Sequence, residues 1–259
     1  MRIALLGKNG QLGSALQLSL SALGEVFAFD RRSAECGDLS DVHALYRDLM
    51  ALKPNWIVNA AAYTAVDQAE NEPELARQIN ARAPGVMAKA ARELGALLVH
   101  YSSDYVFDGQ GDRPWVEQDD TAPLNVYGKT KREGELAILD SACRHLIFRS
   151  SWIYGVNGGN FVKTMVRLAQ EREQLQVIDD QWGAPTSASW LAEVSTQAMV
   201  QAQAKPELLG LYHLVPSGQT NWHAYACHAI REAQALKPNL PWKVKEILAV
   251  PSSAYPTVA

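Results

Sequence analysis

The sequence predicts an α/β fold, a Rossmann-type doubly wound parallel sheet with a smaller C-terminal α+β lobe. Through the first 150 residues, short and almost continuous apolar runs alternate with stretches of helical periodicity, which is typical of parallel strands buried on both faces. A glycine-rich turn directly follows the first apolar run. We therefore predict two domains, one at 1–150 that receives return segments from the C-terminal half, and one at 151–259.

Five strands and four helices are predicted in the first domain. The strands are placed at 3–6, 26–29, 56–58, 96–101 and 146–148, and the helices at 12–20, 41–51, 73–94 and 127–139. Ser40 is the expected N-cap of the second helix. Pro73 suits the first turn of the third helix, because an N–H group would have no partner there. Gly95 is expected to end that helix.

The pattern changes after residue 150. Helical segments at 161–171, 189–202 and 222–235 are separated by loops that contain Gly, Pro and Trp. Short strands are predicted at 176–178, 211–215 and 244–248. We assign these elements mainly to the smaller lobe. The last five residues, Tyr255 to Ala259, show neither a helical nor a strand pattern.

Composition excludes several classes of protein. The chain of 259 residues is 47% hydrophobic and 20% charged, which is ordinary for a globular protein, and its net charge of −4 argues against a nucleic-acid partner. Three cysteines form no even set for a disulfide framework, so we expect a reducing, cytoplasmic location. No apolar run approaches the ~18 residues of a membrane span, and we expect no membrane partner.

The segment Gly7-Lys8-Asn9-Gly10-Gln11-Leu12-Gly13 lies between a strand and a helix, where glycines allow a pyrophosphate to approach the backbone and the helix N-terminus. A simple tight turn is the alternative. Asp30, at the end of the second strand, would bind ribose hydroxyls and favour NAD. Arg31 follows directly, and its guanidinium would suit a 2′-phosphate. Since the two signals conflict, we predict use of both NADPH and NADH.

Two further loops belong to the same edge of the predicted sheet. Asp38 and Leu39 lie in the loop before the second helix, where Asp38 either caps that helix or contacts adenine. After the third strand, small residues around Ala62 would let the backbone lie against a flat cofactor, although a tight strand end would also explain them.

Tyr127 and Lys131 are four residues apart, which puts them on one face of a helix. A free phenol has a pKa of about 10 and is a poor acid–base group at neutral pH. A nearby ammonium favours the phenolate and eases proton exchange. Ser103 follows the fourth strand at the ligand-binding edge, where its hydroxyl would hold a substrate carbonyl beside the tyrosine, or would merely cap the strand.

With these residues the chain resembles the dTDP-4-dehydrorhamnose reductase family of extended short-chain dehydrogenases/reductases, from residue 1 to the C-terminus. The matching stretches are Asn59-Ala60-Ala61-Ala62-Tyr63-Thr64-Ala65-Val66-Asp67, His100-Tyr101-Ser102-Ser103-Asp104-Tyr105-Val106-Phe107, Pro123-Leu124-Asn125-Val126-Tyr127-Gly128-Lys129-Thr130-Lys131 and Asp180-Gln181-Trp182-Gly183-Ala184-Pro185-Thr186. Together these stretches are specific, whereas any one of them is not.

The resemblance implies hydride transfer from NADPH or NADH to the C4 ketone of dTDP-4-dehydro-L-rhamnose. It implies that Tyr127 donates the proton, that Lys131 tunes Tyr127 and binds the nicotinamide ribose, and that Ser103 holds the carbonyl oxygen. It also implies sugar contacts for Asp104 and Trp152, although Trp152 alone would suit a core position. The expected cofactor-binding residues are Gly7, Gly10, Gln11, Leu12, Gly13, Asp30, Arg31, Asp38, Leu39, Ala62, Tyr63, Thr64, Tyr127 and Lys131.

The chain also departs from the family. Family members continue for about forty residues beyond the Tyr-Pro-Thr segment, so we expect substrate-lobe packing to be affected more than cofactor binding. Some members hold Mg²⁺ between subunits through glutamates, but Ala15 and Ser189 stand at two of those positions. We therefore predict no metal site. The family further implies a homodimer and a place in lipopolysaccharide O-antigen synthesis.

Other functions remain open at this point. A non-catalytic NADP-binding regulatory subunit of the methionine adenosyltransferase type would share the fold, and so would a reductase or epimerase of another nucleotide sugar. Sugar-nucleotide dehydratases place a second acid after the one that corresponds to Asp104, and Tyr105 stands there instead. The set of Ser103, Tyr127 and Lys131 favours an enzyme over a regulatory subunit.

Overall fold

The protein is described by a computed structural model that covers residues 1–33 and 35–255. The strands are β1 (Arg2–Leu6), β2 (Glu25–Phe29), β3 (Trp56–Asn59), β4 (Leu97–Ser103), β5 (Arg144–Ser150), β6 (Ile153–Tyr154), β7 (Gln174–Ile178), β8 (Trp182–Gly183), β9 (Thr186–Ser187), β10 (Gly210–His213), β11 (Thr220–Asn221) and β12 (Glu246–Val250). The helices are α1 (Gln11–Ser21), α2 (Val42–Leu52), α3 (Val66–Ala69), α4 (Pro73–Arg77), α5 (Ala83–Leu94), α6 (Val126–Asp140), α7 (Phe161–Glu171), α8 (Ala188–Ala204) and α9 (Trp222–Leu236). A π-helical turn lies at Gln78–Arg82, and short 3₁₀ turns lie at Asp104–Val106, Pro206–Leu208 and Ser252–Ala254.

A six-stranded sheet in the order β10-β5-β4-β3-β1-β2 organises the first domain, and every neighbouring pair in it is parallel. The predicted doubly wound α/β fold is confirmed. One segment of the C-terminal half returns to this sheet. That segment contains β10. The sequence pattern had placed the strand at 211–215 among those of the lobe, but β10 forms an edge of the main sheet beside β5.

Helices cover both faces of this sheet, as the nearly continuous apolar strands require. On one face α2, α5 and α6 bury large side chains against the strands, among them Leu49, Met87 and Ile138. On the other face α1 and α8 bury Leu16 and Leu191. Each such leucine contributes about 1.5–3 kcal/mol by leaving water. Helix α8 is therefore a second return segment, and it packs along α1.

Two local predictions are corrected. Helix α2 is capped by Asp41, whose side chain accepts from the Ala44 N–H at 2.9 Å, rather than by Ser40. The long helix predicted from Pro73 is divided into α4, the π turn and α5. Pro84 is the physical reason, because its ring has no N–H to donate and would clash with the carbonyl of Asn80 four residues earlier.

The lobe combines α7 and α9 with short strand pairs. Strands β7 and β12 pair in parallel, and β8 pairs with β11 in the antiparallel sense. A small core of Ala169, Leu175 and Ile230 joins α7, β7 and α9. The predicted end of the second domain, residues 256–259, lies outside the described residues. In the part of the chain that the structure describes, none of the helices has the length and apolar character needed to cross a bilayer.

Candidate active site

A cleft of about 1040 Å³ runs along the carboxyl edge of the main sheet and is closed on its other side by the lobe. Ligands bind at this edge in open α/β folds because the loops after the parallel strands meet there. Most of the predicted site residues line the cleft: Gly7, Gly10, Gln11, Leu12, Asp30, Arg31, Asp38, Leu39, Ala62, Thr64, Ser103, Asp104, Tyr127, Lys131 and Trp152. Gly13 and Tyr63 are not among the lining residues.

The glycine loop is packed too closely to accept side chains. A Cβ atom on Gly13 would lie 2.0 Å from the carbonyl oxygen of Gly7, so Gly13 lies beneath the loop and lets α1 approach β1. Gly7 adopts a φ of 88°. Gly10 is the N-cap of α1 and has no side chain, which leaves the N–H groups of the first turn facing the cleft. This arrangement fits the pyrophosphate of a dinucleotide.

Asp30 is held by its own loop. Its carboxylate accepts a hydrogen bond from the Arg32 backbone N–H at 2.8 Å and also contacts the Ser33 hydroxyl and the Asn9 amide. The bond from the Arg32 N–H is the main cause that lowers the pKa of Asp30. The guanidinium-bearing Arg31 and Arg32 are exposed and line the same end of the cleft. Both cofactor signals found in the sequence are therefore present side by side.

In the two neighbouring loops, Asp38 lines the cleft whereas Tyr63 does not. Asp38 accepts from the Ser40 hydroxyl at 2.6 Å and from its N–H at 2.9 Å, and these bonds lower the pKa of Asp38. Since Asp41 caps α2, Asp38 does not serve as that cap. Tyr63 donates its hydroxyl to the Glu72 carboxylate at 2.7 Å, so its side chain points toward α4 and away from the cleft.

Helix α6 brings Tyr127 and Lys131 to the cleft. Asn125 begins the helix by accepting from the Gly128 N–H at 2.8 Å. The Tyr127 ring packs edge-on against Tyr105, with ring centroids 5.4 Å apart. Burial raises the pKa of Tyr127 to about 12, while the Ser103 hydroxyl acts in the opposite direction. Lys131 is not among the groups that shift this pKa, so the lowering expected from its ammonium group is not seen, and the phenol is protonated at neutral pH.

Lys131 is buried, with 1% of its surface exposed. Its Nζ donates to the Tyr101 carbonyl oxygen at 2.6 Å and lies 3.3 Å from Nε2 of His100. The other ring nitrogen of His100, Nδ1, lies 3.0 Å from the amide nitrogen of Asn59. Burial lowers the pKa of Lys131 to about 8, although the charge of Glu135 raises it in part. Lys131 is therefore held by contacts with β4, and it is connected to β3 through His100.

Ser103 ends β4, and its hydroxyl donates to the Asp104 carboxylate at 2.9 Å. Burial raises the pKa of Asp104 to about 6, with the Ser103 hydroxyl opposing the shift. Strand β4 was predicted to end at residue 101, but pairing with β5 continues to the Ser103–Ser150 pair. The Ser103 hydroxyl is accordingly positioned by the sheet itself.

Trp152 adopts a φ of 46°, a left-handed conformation that is costly for a bulky residue. Its indole stacks on Trp222 with centroids 3.6 Å apart and an interplanar angle of 18°. It also packs against Gly183, where a Cβ atom would lie 2.6 Å from the ring. One face of Trp152 is therefore already covered by protein.

Sequence reasoning missed several residues of the site. Trp222, Ile153 and Tyr105 line the cleft, and His100 and Asn59 contact or support Lys131 from behind. Trp222 lies 70 positions beyond its stacking partner Trp152 in the numbered sequence, so spacing along the chain gave no signal for the pair. For His100, the available signal was its position on the strand that leads to Ser103.

The predicted absence of a metal site remains a prediction. Among residues 1–33 and 35–255, no group of three or more His, Cys, Asp or Glu side chains is arranged to hold a metal ion. Ala15 and Ser189 lie on α1 and α8, the two helices that pack together across one face of the sheet.

Comparison with known proteins agrees with this geometry. A family model described as the RmlD substrate binding domain matches residues 1–259. The dTDP-4-dehydrorhamnose reductase of Salmonella typhimurium is 54% identical over 260 residues, covering 100% of this chain and 86% of that protein. The crystal structure of a Clostridium acetobutylicum dTDP-4-dehydrorhamnose reductase has a TM-score of 0.88 and 35% identity, covering 100% of this chain and 87% of that one. The enzyme of that name from Bacillus anthracis, solved in complex with NADP, has a TM-score of 0.86 and 36% identity, covering 100% of this chain and 86% of that one. The chain therefore belongs to the dTDP-4-dehydrorhamnose reductase family.

Proposed function

We propose that this protein reduces the C4 ketone of dTDP-4-dehydro-L-rhamnose to dTDP-L-rhamnose with NADPH or NADH. The observation that carries the proposal is the position of Ser103, Tyr127 and Lys131 in one cleft with the glycine loop. Relatives at 52% and 54% identity over the whole of this chain are reductases of this name. That likeness supports the reductase over a regulatory subunit or an epimerase.

The cleft has the features that a nicotinamide dinucleotide requires. The side-chain-free Gly10 at the start of α1 leaves backbone N–H groups for a pyrophosphate, and Asp30 offers an ionised carboxylate for ribose hydroxyls. Arg31 and Arg32 are placed for a 2′-phosphate. A reduced nicotinamide supplies the hydride when it is bound.

Side chains of the protein bind and protonate the oxygen of the ketone. Ser103 holds the carbonyl oxygen, and the Tyr127 phenol donates a proton to it as negative charge develops. The raised pKa of Tyr127 keeps the phenol protonated until that moment. Lys131 in its ammonium form then stabilises the phenolate that remains. In the absence of substrate the Ser103 hydroxyl donates to the Asp104 carboxylate at 2.9 Å, and its single proton must turn from that carboxylate to the ketone oxygen when the substrate binds.

We also propose the use of both cofactors, because the carboxylate and the guanidinium groups lie at the same end of the cleft. Titration of the protein with NADPH and NADH measures the preference. A preference above about a hundredfold, or ~3 kcal/mol, would refute dual use.

A cytoplasmic homodimer without a metal ion completes the proposal. The dimer is supported by the family to which the chain belongs. Light scattering before and after treatment with EDTA tests both parts. A monomer would refute the dimer, and dissociation or loss of activity on chelation would refute the absence of a metal.

The direct test is NADPH oxidation at 340 nm with dTDP-4-dehydro-L-rhamnose. Tyr127→Phe is expected to lower kcat by roughly 10²–10⁴-fold, the usual contribution of a proton donor. Tyr46→Phe is the matched control, because the Tyr46 hydroxyl contacts Glu93 on the outside of α2 and α5. Wild-type protein that binds NADPH but does not reduce the ketosugar would contradict the proposal.

A further inference from the structure

A buried row of three hydrogen-bonded side chains lies behind the cleft, and two of them, Asn59 and His100, have no role in the mechanism above. Asn59 on β3, His100 on β4 and Lys131 on α6 each have 1% of their surface exposed. Their polar atoms are consecutive, with 3.0 Å from Asn59 Nδ2 to His100 Nδ1 and 3.3 Å from His100 Nε2 to Lys131 Nζ. At each of these two distances one atom must donate a hydrogen bond and the other must accept it, because buried polar groups are seldom left unpaired.

A backbone hydrogen bond determines the direction of donation along these three side chains. The Ala61 N–H donates to Asn59 Oδ1 at 3.2 Å, so the carbonyl end of the Asn59 amide is fixed. The opposite amide orientation would set an NH₂ group against that N–H. The Asn59 NH₂ group therefore donates to His100 Nδ1, which must be the unprotonated ring nitrogen. The single proton of the neutral imidazole then lies on Nε2, facing Lys131.

This direction has a consequence for Lys131. An ammonium group has three donors and no acceptor, so it opposes the His100 Nε2–H, whereas an amine has a lone pair that accepts from it. We propose that Asn59 fixes His100 as the Nε2–H tautomer and that His100 acts as a positioning residue that favours the amine form of Lys131. The tautomer is independent of the proposed function, while its effect on turnover rests on that function.

Other titratable groups adjoin Lys131 on α6 and after β4, and Arg132 on α6 pairs with Glu135 at 2.8 Å. Glu135 lies one turn further along α6 and is paired with Arg149 of β5 at 2.7 Å. Tyr127 lies one turn earlier on α6, and Asp104 follows β4. Burial and the nearby charge of Lys131 hold the pKa of His100 well below its usual range, so the imidazole is neutral. The lowered pKa of Lys131 agrees in direction with a facing N–H donor.

The first experiment reads the tautomer directly. Long-range ¹H–¹⁵N correlation spectra of the histidine-labelled protein without substrate are expected to show His100 protonated at Nε2 and bare at Nδ1. A proton on Nδ1, or an imidazolium, would overturn the proposal. In Asn59→Asp one carboxylate oxygen still accepts from the Ala61 N–H, but the other replaces a donor by an acceptor. His100 is then expected to carry its proton on Nδ1, and an unchanged tautomer would also overturn the proposal.

The second experiment follows the titration of Lys131. In wild-type protein the reduction rate is expected to fall as the pH rises through about 8, because the phenolate of Tyr127 needs the ammonium form. In Asn59→Asp, Nε2 accepts from that ammonium and a carboxylate lies nearby, so the alkaline limb is expected to move up by about one pH unit. His145→Gln is the control, since His145 on β5 contacts the Cys143 carbonyl instead.

The two readouts separate the possible failures. One result would be a switch of the tautomer in Asn59→Asp while the pH at which the reduction rate falls stays the same as in wild type. That result would overturn the proposed action of His100 on Lys131. If the wild-type protein does not reduce the ketosugar, the proposed function fails, and the ¹³Cε signal of Lys131 replaces the rate as the titration readout. The same upward shift in Asn59→Asp is expected there, and its absence would count against the inference.

Discussion

Replacement of Gly13 by alanine is expected to move the glycine loop. The new Cβ atom would lie 2.0 Å from the Gly7 carbonyl oxygen, 2.7 Å from the Gly7 carbonyl carbon and 3.1 Å from Cα of Lys8. All three are backbone atoms, so no side chain is able to rotate out of the way. Overpacking of this kind costs about 1–3 kcal/mol. Because the displaced loop is the proposed pyrophosphate site, cofactor binding is expected to weaken by up to the same free energy, at most about 5- to 150-fold in Kd.

Fluorescence titration with NADPH and thermal unfolding measure the two effects of Gly13→Ala. The Tm is expected to fall by about 2–4 °C for each kcal/mol lost. In Gly10→Ala the new Cβ would contact only the Gly7 carbonyl oxygen, at 3.3 Å, so the Tm is nearly kept while a methyl group enters the cleft and weakens NADPH binding. In Gly85→Ala the new Cβ would meet only the Ala137 side chain. Neither weaker NADPH binding nor a lower Tm is therefore expected. Wild-type Tm and Kd in Gly13→Ala would refute this reasoning.

Two further predictions concern buried carboxylates. Glu135→Gln leaves the guanidinium of Arg149 without its charged partner, so the free energy of unfolding in urea is expected to fall by about 3–5 kcal/mol. Glu171→Gln breaks an exposed pair and is expected to cost less than about 1 kcal/mol, and equal losses in both variants would contradict this account. For Asp104, burial raises the pKa from 3.8 to about 6, so the native protein binds more protons than the unfolded chain in that window and stability falls as the pH rises through it. Asp104→Asn is therefore expected to have a higher Tm than wild type at pH 7.5 but not at about pH 4, and a difference that is independent of pH would refute it.

Elements bounded by local signals were predicted well from the sequence. Helix α7 spans the predicted residues 161–171, and Asn160 before it accepts from the Lys163 N–H as an N-cap. Gly95 ends α5 in the left-handed conformation, as expected. Such signals act over three or four residues and do not depend on the rest of the fold.

Features set by distant contacts were not predictable in this way. The membership of β10 in the main sheet depends on pairing with β5, more than sixty residues earlier. The π turn depends on Pro84, which a helical pattern alone does not position against Asn80. In the cleft, Ser103, Tyr127 and Lys131 were predicted from their types and spacing, but the contact of His100 with Asn59 joins residues 41 positions apart.

Two close backbone contacts help to fix the position of α6. A Cβ atom on Gly128 would lie 2.1 Å from the Tyr105 carbonyl oxygen, and one on Gly134 would lie 2.1 Å from the Asn80 carbonyl oxygen. One contact is with the turn that follows β4, and the other is with the π turn. Helix α6 therefore contacts irregular parts of the backbone at two places, in its first turn and near its middle.

These contacts connect the π turn to the residues of α6 that line the cleft. The Asn80 side chain also donates to Thr130 Oγ1 at 3.2 Å, which adds a second contact between the π turn and α6. Lys131 is the next residue, and its Nζ must reach the Tyr101 carbonyl oxygen at 2.6 Å. A regular helix across the π turn would place the Asn80 carbonyl elsewhere, so the proline that forces the π turn also affects where α6 lies. The π turn contributes Ile79 to the lining of the cleft and contacts α6 beside Lys131, so it helps to position the proposed acid–base pair.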